Sequence, residues 1–129
     1  MQRLDGYQRR LRQLHQVPRD EYLRDDNIQT IVERKLQLAI QACIDIANYL
    51  IAQLGLRAPD QLENVFSVLG EEGVIAADLA QRMVGMVRFR NILVHDYIEI
   101  DADLVYGHLQ TGLDDFDRFA REIVNRFLS

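Results

Sequence analysis

DDNIQTIVERKLQLAIQACIDIANYLIAQLG, residues 25–55, decides the fold. Apolar residues recur at Ile28, Val32, Leu36, Ile40, Cys43, Ala47, Leu50 and Leu54, in steps of three and four. That is the period of one helical face and not the alternation of a strand. Asp25 or Asp26 is placed to cap the first turn by accepting its free N–H groups, and Gly55 supplies the left-handed residue that ends a helix. The segment predicts a helix of about eight turns. After Leu38 the apolar stripe widens to take in Ala39, Ile44, Ile46 and Ile51, so the second half is expected to meet neighbours on more than one side, for which a second subunit is one candidate.

On the N-terminal side, Leu4, Tyr7, Leu11 and Leu14 mark a helix over about Gln2 to Gln16 that stops before Pro18, with a short helical turn around Arg19 to Arg24. On the C-terminal side, Asp60 and Glu63 are spaced as a capping box after Pro59 and start a short helix carrying Leu62, Val65, Phe66 and Leu69 before Gly70. A fourth helix begins near Ala76 and runs through Leu79, Met83, Met86 and Val87 into RFRNILVHDY, residues 88–97. Gly85 within it costs about 1 kcal/mol against alanine, which predicts close approach of another element there. Asp101 caps a fifth helix whose stripe is Leu104, Val105, Leu109, Leu113, Phe116, Phe119, Ile123, Val124 and Phe127. The reading is all-α: one domain over residues 1–129, an antiparallel bundle of about five helices.

Composition agrees with long helices. Among 129 residues only 7 are Gly and 2 are Pro, too few to punctuate many short strands, while 48% hydrophobic residues suffice for a core. The single cysteine, Cys43, cannot form an intrachain disulfide and is expected as a small buried filler. The N-terminus MQRLDGYQRR lacks the apolar centre of a signal peptide, and no stretch approaches about 20 apolar residues. A cytosolic protein with no membrane contact is the expectation. A net charge of −5 argues against holding nucleic acid by bulk electrostatics. Its distribution is uneven, with six Arg against three acids in residues 1–24 and three Arg against eight acids in residues 96–129.

Reactive side chains concentrate in one place: Arg88, Arg90, Asn91, His95, Asp96 and Tyr97. An Arg followed five positions later by His is expected about 0.3 times by chance at this composition, and requiring Tyr two positions on lowers that to roughly 0.01. Five helical residues rotate by about 140°, so Arg90 and His95 cannot share a face of one regular helix. Either the helix ends between them and His95 swings back, or the same segment of a second subunit completes the site.

These groups suit cleavage of RNA without a metal. Histidine exchanges a proton near neutrality, which makes His95 the natural acid or base. Arg90 can grip a phosphate with two N–H groups and stabilise charge growing on its oxygens. Asn91 adds a hydrogen bond or positions the histidine. No second histidine stands at ligand spacing, so neither a metal nor another cofactor is expected. The bland alternative makes Arg90 and His95 a helix-end pair favoured by the backbone dipole. Arg82 and Arg88 are either RNA contacts or solvated residues, and Arg3, Arg9, Arg10 and Arg12 make the first helix a candidate RNA or partner surface or simply a wet face. His15 and His108 belong to no motif and read as surface or helix-end residues.

RFRNILVHDYIEID strongly resembles the R-x-x-x-x-H-x-Y signature of HepT-like HEPN proteins, and LQLAIQACIDIANYLI, GLRAP and GVI extend the likeness from about Asp20 to the fifth helix. The resemblance implies a HEPN fold, a homodimer with the motif at or near its interface, and a metal-independent endoribonuclease that acts as a toxin. Carried over by position, it makes Arg90 and His95 the catalytic pair and Asn91 the polar residue that commonly follows the motif arginine. It makes Tyr97 the tyrosine that a partner antitoxin, the minimal nucleotidyltransferase MntA, modifies with AMP from ATP. The rivals are a non-catalytic helical module that partners a nucleotidyltransferase, and a plain structural helical dimer.

Overall fold

The axis of the molecule is a helix of 29 residues, Asp26–Leu54, labelled α3. Its ends are fixed locally, as the sequence requires. The Asp25 carboxylate accepts from the backbone N–H of Asn27 and Ile28 at 3.0 and 3.1 Å, and Gly55 closes the other end in the left-handed conformation, φ 64°. The computed structural model describes residues 2–95 and 100–128. Around α3 stand α1 (Gln2–Leu14), α2 (Arg19–Arg24), α4 (Val65–Glu71), α5 (Ala77–Leu93) and α6 (Ala102–Leu128). No strand occurs among the described residues, and none of the helices is long and apolar enough to cross a membrane.

The expected widening of the α3 stripe follows from this arrangement, because α3 packs against each of the other five helices. Ala39, Ile40, Cys43, Ile44 and Ala47 have no exposed surface. The core continues through Leu4 and Leu11 of α1, Phe66 and Leu69 of α4, Leu79 and Met83 of α5, and Phe116 and Phe119 of α6. Phe66 meets Phe119 edge to face with ring centres 5.5 Å apart. Burial pushes the Cys43 thiol up, so it stays protonated and inert.

α5 and α6 run antiparallel, and their side chains are tied rung by rung. Arg118 holds both carboxylate oxygens of Asp78 at 2.6 and 2.8 Å, Arg82 reaches Asp115 at 2.6 Å, and Phe89 stacks on His108 with centres 3.8 Å apart. α2 is pinned to the start of α6 by a two-bond pair between Arg19 and Asp103, at 2.9 and 2.8 Å. Asp101 caps α6 by accepting from the backbone of Asp103 and Leu104.

Several expectations are corrected. The α4 region forms no capping box: Leu62–Asn64 is a 3-10 turn, entered from extended Gln61 without a side-chain cap. Glu63 lies inside that turn and pairs instead with Arg88 of α5 at 3.4 Å, so its carboxylate is drawn away from the backbone. Gly70 lies within α4, and the left-handed residue after it is Gly73, φ 73°. Gly85 meets nothing within 4 Å on its Cβ side; the close approach falls at Gly70, where a Cβ would stand 2.6 Å from that of Ala80. On α6, Leu104, Val124 and Phe127 are exposed and not part of the buried stripe. α1 closes at Leu14, short of Gln16.

Candidate active site

The segment singled out by the sequence lies at the C-terminal end of α5. Arg90 sits in the last turn, where a cation also meets the negative end of the helix dipole. Its side chain is half-buried and turns toward α3, donating from Nη2 to Oε1 of Gln41 at 2.6 Å. Nη1 lies 3.4 Å from Oδ1 of Asn91, and Nε is buried with no acceptor among the described residues.

α5 ends at Leu93, so a helix boundary does fall between Arg90 and His95. The backbone barely departs from helical course before His95, however. Val94 keeps φ −90° and ψ −5°, its N–H still bonds Arg90 O at 3.1 Å, and the N–H of His95 bonds back to Ile92 O at 3.3 Å. The angular offset of about 140° is therefore largely retained. His95 leaves the helix exposed, whereas Arg90 is held against α3.

The structure places Arg90 and Asn91 together and sets His95 at the adjoining helix end. The two other arginines stand apart: Arg82 is bonded to Asp115, and Arg88 to Glu63. Both remain well exposed, yet each has a carboxylate partner that an RNA phosphate would have to displace. On α1, Arg12 pairs with Asp117 of α6. Asp96 and Tyr97 lie outside the described residues.

Two residues near this end of α5 were not legible from the motif. Gln41 is one, a polar residue within the widened apolar stripe of α3 and bonded onward to Asp45 at 2.9 Å. The signal available was that interruption of the stripe at an i,i+4 Gln–Asp spacing. The other is His108, which is neither a surface nor a helix-end residue but lies within α6, half-buried against Phe89. Burial lowers its pKa below the ordinary 6.5, opposed by the Asp115 carboxylate. His15 does stand at a helix end, just past α1, with Nδ1 against the Arg12 carbonyl. Among the described residues no group of three His, Cys, Asp or Glu is gathered as for a metal ion.

Residues 4–123 match the sequence profile of the family described as Ribonuclease HepT-like. The chain belongs to the HepT-like family. It is 35% identical over 111 residues to the mRNA nuclease HepT of Shewanella oneidensis, covering 84% of each chain. It is 30% identical over 113 residues to the tRNA nuclease HepT of Aphanizomenon flos-aquae, covering 88% of this chain and 77% of that one. Its fold matches a solved structure described as the tri-AMPylated Shewanella oneidensis HEPN toxin in complex with MNT antitoxin, with a TM-score of 0.87, 32% identity, and 95% and 91% of the two chains covered. The all-α HEPN architecture expected from the sequence is thus the one observed.

Proposed function

We propose that this HepT-like protein is the toxin of a toxin–antitoxin pair, a single-domain homodimeric endoribonuclease that cuts RNA without a metal. The observation that carries the reading is the placement of Arg90 in the last turn of α5 with His95 just beyond it, in a chain that matches a ribonuclease family over nearly its whole length. In the reaction the ribose 2′-OH attacks the adjacent phosphorus and the bond to the 5′-oxygen breaks. His95 takes the 2′ proton or returns one to the departing oxygen. Arg90 binds the phosphate and stabilises the charge that builds on its oxygens, with Asn91 beside it.

The helical course of Val94 supports a dimeric site, since it leaves Arg90 and His95 of one protomer on different faces. A two-fold axis near the motif would bring the histidine of one chain toward the arginine of the other. Tyr97, two residues from His95, is the residue we assign as the acceptor of AMP from an ATP-using nucleotidyltransferase antitoxin. Phosphate and bulk there would repel and exclude RNA.

The purified protein is expected to cleave RNA in EDTA, and Arg90→Ala and His95→Ala to lose cleavage while remaining folded by circular dichroism. Cleavage by either variant at the parent rate would remove the assignment. Co-expression with the antitoxin should add AMP masses to the intact protein, and Tyr97→Phe should prevent the gain.

A further inference from the structure

Among the described residues, other arginines that bridge elements meet carboxylates: Arg12 with Asp117, Arg19 with Asp103, Arg82 with Asp115, Arg88 with Glu63, and Arg118 with Asp78. Arg90 departs from this rule. Its side-chain bonds among the described residues go to two neutral amides, Gln41 of α3 and Asn91 beside it. The amide of Gln41 is itself oriented. Nε2 donates to Oδ1 of Asp45 at 2.9 Å, and because an ionised carboxylate only accepts, the carbonyl end of Gln41 is the one left facing Arg90.

We infer that Gln41 is a positioning residue for Arg90, holding the guanidinium in place through a neutral acceptor so that its whole charge remains for an RNA phosphate. The inference rests on the ribonuclease reading and adds to it a residue from outside the motif. A carboxylate at the same point would grip Arg90 at least as firmly but would compete with the phosphate for it. An apolar side chain would leave the charge free and the guanidinium loose, with a half-buried donor unsatisfied. Asp45 acts one step further back. It is exposed at the surface of α3 and touches Arg90 only through the amide that it orients.

The test sets Gln41→Glu against Gln41→Met, with kcat/KM for RNA cleavage and the thermal midpoint measured on each. The parent should lead, Gln41→Met should follow, and Gln41→Glu should fall lowest, by roughly tenfold to a hundredfold, while its midpoint stays close to that of the parent, the new charged pair with Arg90 offsetting the lost amide bond and the like charge at Asp45. A residue needed only for packing would lose activity in step with stability. Binding is read separately in the non-cleaving His95→Ala background with a single-stranded RNA. There Gln41→Glu should reduce the slope of log affinity against log salt by about 0.7, one phosphate contact fewer.

Asp45→Ala gives a second route, on an exposed position where folding is not at stake. Releasing the amide should lower kcat/KM severalfold without moving the midpoint. Equal activity in Gln41→Glu and Gln41→Met with an unchanged salt slope, or parent activity in Asp45→Ala, would overturn the inference. A parent protein that cuts no RNA would instead sink the ribonuclease reading, and the salt slope would still decide whether Gln41 keeps the Arg90 charge available.

Discussion

At His108 two forces meet: burial against Phe89 disfavours the charged ring, and Asp115 favours it, with burial the larger. The folded pKa therefore lies below the 6.5 of an exposed histidine, and between the two values the unfolded chain binds more protons than the folded one. Stability from this residue is complete above 6.5 and is lost as pH falls through the folded value. The thermal midpoint should accordingly drop on going from about pH 7 to about pH 5, and His108→Phe, which keeps a ring against Phe89, should flatten that drop. A midpoint that falls equally in the variant would place the titration elsewhere. The Asp78 carboxylate is separable from this limb: its Arg118 hydrogen bond holds it down to about 2, so its contribution fades only below 3.8. Glu33, raised by burial, acts with the opposite sign, adding stability as pH falls and it takes up its proton. None of this was legible from His108 as a letter in a sequence. A histidine outside the motif shows its meaning only when the ring it packs on is known.

Elements whose ends are decided locally were read correctly, and those decided by tertiary contact were not. α3 carries its own punctuation in Asp25 and Gly55, and both act where the sequence put them. The capping box at Asp60 and Glu63 has the same local form, but Arg88, 25 residues away, claims the Glu63 carboxylate. Glycines divide in the same way. Gly85 looked like a contact point because glycine inside a helix is costly, yet its Cβ position is open; Gly70 looked like a helix end and is the contact. Gly70→Ala should destabilise the protein by about 1–3 kcal/mol, since a methyl 2.6 Å from Ala80 Cβ must push α4 from α5. Gly85→Ala should stabilise it by about 0.5–1 kcal/mol, by lowering the entropy of the unfolded chain in a residue that stays helical. Chemical denaturation of the two variants measures both. A loss at Gly85 would mean that its open side is covered by a second chain.

For the whole molecule, the bundle was legible because it rests on short-range pattern, the apolar period of the helices, and R-x-x-x-x-H is the equally short-range pattern from which the candidate site is proposed. Gln41 was not, since 49 residues separate it from Arg90 and only the packing of α3 on α5 joins them. The pattern also left open whether one chain or two completes the site, and the course of the backbone now bears on that choice. Val94 remains near helical geometry, so the backbone leaves His95 at a different angular position from Arg90. Mixing Arg90→Ala with His95→Ala protomers, each inactive alone, separates the two arrangements. If each site lies within one chain, no mixed dimer contains an intact site and the mixture stays inactive. If each site pairs Arg90 of one chain with His95 of the other, a mixed dimer keeps one intact site of its two. Random exchange makes half the dimers mixed, so activity should return to about a quarter of the parent level. We expect that return after the two variants are unfolded and refolded together, and no return when they are combined without exchange.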